Sequence, residues 1–66
     1  MKKINSPLRV KEVGGFSYWP SNMDAAKQMI DVIISRNGCG VVEARQPDGL
    51  WQLTHRFEPH TGIVAA

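Results

Sequence analysis

The chain of 66 residues is long enough for one domain and no more. Its hydrophobic fraction of 42% and charged fraction of 21% are typical of a folded globular protein and exclude a disordered tail. A net charge of +2 permits contact with an acidic partner, but the scattered charges lack the dense basic stripe of a dedicated nucleic-acid binder.

The amino-terminal segment has lysines but no apolar run behind them, which argues against a secretory signal. Residues 1–7 are polar and end at Pro7, so we expect a flexible arm there. Apolar runs such as Val32 to Ile34 are far shorter than the ~20 residues of a membrane-spanning helix. Because Cys39 stands alone, no internal disulfide can form. These features predict a soluble, cytoplasmic protein.

The first strands are predicted from alternation. Residues 8–13 begin by alternating apolar and charged side chains, which is the period of a half-buried strand with Leu8 and Val10 facing inward. Two glycines then break or bulge this strand. Residues 16–19 alternate again and either continue it or return as a hairpin partner. Pro20 restricts the residue before it to extended geometry, so the strand stops there.

Residues 21–38 predict one amphipathic helix with both ends marked. Ser21 is the predicted N-cap, with Asp24 completing a weak capping box, and the helix starts one residue later if Asn22 is the cap instead. The Asn37-Gly38 pair supplies left-handed chemistry for the C-terminal end. The apolar side chains recur at three- and four-residue steps and form one stripe. They are Met23, Ala26, Met29, Ile30, Ile33 and Ile34.

A β-hairpin follows the helix. Residues 40–46 and 50–57 predict two strands, joined by a turn at residues 47–49 whose Pro-Asp-Gly sequence suits a tight reversal. As a regular strand, the second has two faces. One carries Trp51, Leu53, His55 and Phe57, and the other Leu50, Gln52, Thr54 and Arg56.

The register of this hairpin stays open at the level of sequence. Burial favours Val42 and Ala44 on the same face as Trp51 and Leu53, whereas a three-residue loop with a bulge places Ala44 opposite Gln52. Residues 58–66 can loop out and add a short edge strand. An unpaired edge strand can pair with the edge of a second copy, so we expect the chain to be a monomer or a weak dimer.

The order of these elements predicts the α+β class, with one amphipathic helix packed on a small antiparallel sheet in a strand–helix–hairpin arrangement. The whole chain, residues 1–66, is expected to form a single domain.

No catalytic, cofactor-binding or metal-binding constellation is predicted. Cys39, His55 and His60 lack a fourth ligand at the usual spacing, and the acidic residues lie on separate elements. The glycine pairs match neither a phosphate-binding nor a dinucleotide-binding loop. We therefore predict a non-enzymatic protein without a cofactor or metal, in which Cys39 is a small buried residue at a strand start.

The aromatic residues are the better guide to function. A sheet of this size cannot easily hide five large rings, and exposed Tyr and Trp side chains favour binding surfaces. The alternative is that Trp51 and Phe57 fill the core while Phe16 and Trp19 brace the start of the helix. The candidate partner-binding residues are Tyr18, Trp19, Arg45, Arg56 and Lys11.

Three segments resemble small phage-encoded anti-CRISPR proteins of type I systems. They are residues 24–28 (DAAKQ), 38–42 (GCGVV) and 48–51 (DGLW), so the resemblance covers about residues 24–53. It implies a non-enzymatic inhibitor in the cytoplasm of a bacterial host, which binds a Cas subunit of the Cascade surveillance complex and blocks recognition of target DNA. The alternative, motivated by mild basicity and interleaved aromatic residues, is a small nucleic-acid-binding or transcription-regulating module.

Overall fold

A computed structural model describes residues 7–66, and apart from Pro7 the predicted flexible arm lies outside these residues. The elements in chain order are β1 (Leu8–Glu12), β2 (Ser17–Tyr18), α1 (Met23–Ser35), β3 (Gly40–Arg45), β4 (Trp51–Glu58) and β5 (Gly62–Ala65). All five strands form one antiparallel sheet in the order β2-β1-β3-β4-β5, and α1 packs against one face of it. The predicted α+β class is confirmed.

β1 and β2 form a tight hairpin, so residues 16–19 return beside β1 rather than continuing it. Val10 lies opposite Tyr18, and the Glu12 N–H donates to the Phe16 carbonyl at 3.1 Å. Gly14 adopts φ 73°, which a residue with a Cβ adopts only with strain. The hairpin tip leaves Phe16 76% exposed, so this ring does not brace the helix.

An asparagine helps to end α1 on each side, Asn22 as the N-cap and Asn37 as the left-handed residue after the C-cap Arg36. The Asn22 side-chain oxygen accepts from the Ala25 N–H at 2.9 Å, so the later of the two predicted starts is confirmed and Ser21 is not the cap. At the other end Asn37 adopts φ 68°. The Gly38 N–H reaches back to the Ile33 carbonyl at 2.8 Å and ends the helix in a Schellman motif.

The core lies between α1 and the centre of the sheet. Its buried side chains are Val10, Ala26, Ile30, Ile33, Val42 and Phe57, with Leu8, Tyr18, Met23, Ile34 and Ile63 packed against them. Five of the six residues of the predicted helix stripe are among them, whereas Met29 is half-buried outside this set. The inward orientation of Leu8 and Val10 is confirmed. A Cβ on Gly40 would lie 2.1 Å from the Lys11 carbonyl oxygen and 2.7 Å from the Phe57 ring, so only glycine permits this close packing.

An ion pair joins the end of α1 to β1. The Arg36 guanidinium donates to both carboxylate oxygens of Glu12, and the Glu12 side chain is only 12% exposed. Hydrogen bonds to Glu12 and then to Tyr18 raise the pKa of Arg36 above its ordinary value. The ion pair links two residues that are 24 positions apart in the chain.

β3 and β4 pair in two registers that differ by one residue. Near the turn Ala44 lies opposite Gln52 and Glu43 opposite Leu53, whereas further along Val42 lies opposite His55. Thr54 is therefore an extra residue in β4, a β-bulge. Its hydroxyl donates to the Val42 carbonyl at 3.1 Å and satisfies an acceptor at the break in the ladder.

The bulge corrects the predicted faces of β4. Cross-strand partners share a face, so His55 and Phe57 lie with Val42 on the helix side, whereas Trp51 and Leu53 lie on the opposite side. The prediction that these four residues share one face is wrong, because a regular alternation does not survive the extra residue. The open alternative that places Ala44 opposite Gln52 is confirmed. The turn at residues 47–49 produces this register with Gly49 in the left-handed conformation, at φ 88°.

Deleting Thr54 should severely destabilise the protein. Without the extra residue, either the turn register shifts or Phe57 moves out of the core, and losing a buried Phe contact costs about 3–5 kcal/mol. Thr54→Val keeps the residue count and removes only the hydroxyl, so it should cost about 1 kcal/mol. Urea unfolding followed by circular dichroism measures both. A deletion variant as stable as Thr54→Val would contradict the role of the bulge.

Candidate partner-binding face

The face of the sheet opposite α1 carries most of the exposed cations of the sheet. Within residues 7–66 no helix or strand lies over it. We call it the open face, and define it by the strand residues whose side chains alternate away from the core. They are Arg9, Lys11, Ser17, Val41, Glu43, Arg45, Trp51, Leu53, Arg56, Glu58 and Val64.

One row of side chains crosses four strands of the open face. Lys11, Val41, Arg56 and Val64 are cross-strand neighbours on β1, β3, β4 and β5. Lys11 and Arg56 are exposed and lie two strands apart, which corresponds to about 10 Å. Neither forms an ion pair with another residue in the described part of the chain. The row therefore presents two available cations with apolar side chains beside them.

An ordered cluster lies beside this row, where Arg9 is opposite Glu43 and the Arg9 guanidinium reaches the ring of Trp51, the first residue of β4. The Arg9 guanidinium lies 2.8 Å from the Glu43 carboxylate and 4.4 Å from the centre of the Trp51 ring. The Arg9 and Glu43 side chains are only 23% and 17% exposed. Because the carboxylate and the ring hold the guanidinium from two sides, its orientation is largely fixed before any partner arrives.

Three of the five candidate partner-binding residues lie together on the open face. Lys11 and Arg56 share a row, and Arg45 lies opposite Trp51 at the end of β3. Trp19 is 42% exposed and follows β2 at one edge of the sheet. Tyr18 lies on the helix side, where it packs against the core. A role for these residues in binding stays a prediction.

The open face also includes residues that the candidate set omits. Arg9 alternates with Leu8 and Val10, and this alternation alone places it outward beside Lys11. Trp51, which the alternative interpretation of the aromatic residues places in the core, is half-buried on the open face, beneath Arg9. The turn register places Trp51 there, and the bulge returns Phe57 to the core, so a regular strand pattern could not reveal it.

The reactive side chains do not assemble into a centre. Cys39 is half-buried just before β3, and the His55 ring nitrogen Nδ1 lies 3.0 Å from the Thr54 hydroxyl. In the described part of the chain, no group of three or more His, Cys, Asp or Glu side chains is placed to hold a metal ion. Among residues 7–66, no helix is both long enough and apolar enough to cross a membrane.

Comparison of the chain with protein-family models, with curated proteins and with solved structures finds no match. The geometry of the open face is therefore the main guide to the function of this chain.

The contact between Arg9 and Trp51 should be measurable as a coupling energy. We expect Arg9→Ala and Trp51→Leu to be non-additive in urea unfolding, with a coupling of about 0.5–1 kcal/mol for a partly exposed cation–π pair. The unpaired Glu43 left by Arg9→Ala is present in both arms of the cycle and cancels. Strict additivity of the two substitutions would contradict the stacked arrangement.

Proposed function

We propose that this chain is a non-enzymatic binding protein that engages an acidic surface of a partner protein through its open face. The observation that carries the proposal is that cationic, aromatic and aliphatic side chains are concentrated on one face of the sheet. Four cations, Arg9, Lys11, Arg45 and Arg56, lie there together with Trp51 and Leu53. Of the acidic groups on that side, Glu43 is paired with Arg9 and Glu58 accepts a hydrogen bond from Thr61.

The composition of the open face is that of an interface centre. Trp and Arg are the residue types in which binding energy concentrates. Leu53 and Val64 are 44% and 39% exposed and add apolar area around them. Because Arg9 and Trp51 are already ordered, binding them requires little further loss of side-chain entropy. An acidic partner would gain attraction from Lys11 and Arg56, which no carboxylate in residues 7–66 neutralises.

The resemblance of residues 24–53 to anti-CRISPR proteins supplies a specific partner for this proposal. That partner is a Cas subunit of a type I Cascade complex in the cytoplasm of a bacterial host. A compact protein bound there would block target DNA by occupying space, which requires affinity and shape but no catalytic group. The open face would be the contacting surface, with Trp19 at the sheet edge as a peripheral contact.

A nucleic-acid-binding module is the second candidate, because the same cations surround an aromatic ring. Single-stranded nucleic acids bind basic grooves in which bases stack on open aromatic faces. Here the Arg9 guanidinium lies over the Trp51 ring at 4.4 Å and occupies one of its two faces. Because the Trp51 ring is held between Arg9 and the sheet, it leaves less area for a base to stack on than such a module needs. We therefore favour a protein partner.

The test captures partners of the tagged protein from purified, crRNA-loaded type I Cascade, with nuclease added or omitted. We expect Cas subunits to be retained after nuclease treatment. The double variant Lys11→Gln/Arg56→Gln should bind about tenfold more weakly, a loss of about 1.4 kcal/mol. Lys27→Gln is the control, because Lys27 is exposed on α1, away from the open face, and its loss should leave affinity unchanged.

The outcomes separate the two candidates. If no Cas subunit is retained, Cascade is not the partner. Equal weakening by Lys27→Gln would mean that overall charge, not the open face, drives binding. Capture of nucleic acid alone would support the second candidate. For a single strand that contacts three cations, its affinity should fall with salt at a log–log slope of about −2.

A further inference from the structure

The two edges of the sheet are unequal. β2 forms one edge and has only two residues, after which Trp19 leads into the buried Pro20. A strand this short, followed by proline, offers little backbone for pairing. β5 forms the other edge with the four residues Gly62–Ala65, and within residues 7–66 it pairs only with β4.

The backbone of β5 has a defined pattern of outward groups. The Ala66 N–H donates to the Thr54 carbonyl at 3.0 Å. Because hydrogen-bonded positions alternate along an antiparallel ladder, Gly62 and Val64 also direct their backbone groups toward β4. Ile63 and Ala65 therefore turn their N–H and C=O groups outward. The strand contains no proline and no charged residue, two of the features that usually protect a sheet edge from pairing.

We propose that β5 pairs antiparallel with β5 of a second copy of this chain and forms a symmetric dimer. The edge is self-complementary about a two-fold axis at Val64, because Ile63 of each copy exchanges both backbone hydrogen bonds with Ala65 of the other. Val64 then lies opposite Val64 of the second copy. Both belong to the open face, where each is 39% exposed, and a close pair of β-branched side chains is favourable between strands.

A second copy suits this edge better than a charged or bulky partner would. The strand is uncharged, so no like charges meet across the axis. Ile63 is half-buried against the core and gains further cover, while exposed Ala65 leaves room for the incoming strand. The contact is short, so we expect a dissociation constant between micromolar and millimolar. The two open faces would join into one continuous surface.

The test measures sedimentation velocity over a concentration series from micromolar to millimolar. Ala65→Pro removes one outward N–H without touching the β4 ladder, and the extended Val64 before it is compatible with proline. Ala65→Val is the matched control because it keeps the N–H. We expect wild type and Ala65→Val to dimerise, and Ala65→Pro to have a dissociation constant at least about tenfold higher while its circular dichroism stays native.

Amide hydrogen exchange identifies the edge independently of the variants. Protection at Ile63 and Ala65 should rise with protein concentration, whereas protection in β2 should not change. Wild type that stays monomeric at millimolar concentration would overturn the proposal. So would an Ala65→Pro variant that dimerises like wild type, or concentration-dependent protection confined to other elements. None of these results depends on the proposed function of the open face, because no Cas protein or nucleic acid is present.

Discussion

The extra residue Thr54 reconciles two demands that a regular hairpin cannot meet together. The tight turn at residues 47–49 places Ala44 opposite Gln52, and uninterrupted pairing from there would point Phe57 away from the helix. Burial requires the opposite, because Phe57 is 2% exposed and completes the core beneath α1. A bulge shifts the register by one residue, so the turn keeps its geometry and the ring enters the core.

The same shift determines the character of the open face. Residues on the turn side of the bulge keep the alternation set by the turn, so Trp51 faces outward, beneath Arg9. The core then contains one aromatic ring of β4 instead of two. A domain this small has little apolar area to spare, and an aromatic side chain left outside the core is a cost to stability unless it serves another contact. The outward Trp51 ring therefore connects the bulged hairpin to the proposed binding surface.

Features governed by short-range chemistry could be predicted from the sequence. The apolar stripe of the helix, the Asn37-Gly38 ending and the Pro-Asp-Gly turn each depend on neighbouring residues, and the structure contains all of them. The faces of β4 could not be predicted, because the bulge depends on a core that four separate elements build. The same distinction applies to the candidate site. Local alternation predicts that Lys11 faces outward, whereas the orientation of Trp51 depends on the pairing register of β3 and β4.

The orientation of the two aromatic rings of β4 tests the account most directly. A nuclear Overhauser spectrum of the isotope-labelled protein reports which protons lie within about 5 Å of each ring. We predict contacts from the Phe57 ring to the Ile30 and Ile33 methyl groups, and from the Trp51 indole to the Arg9 side chain, because the bulge separates the rings onto opposite faces. Contacts from the Trp51 indole to those helix methyl groups would contradict the bulge and the open face together.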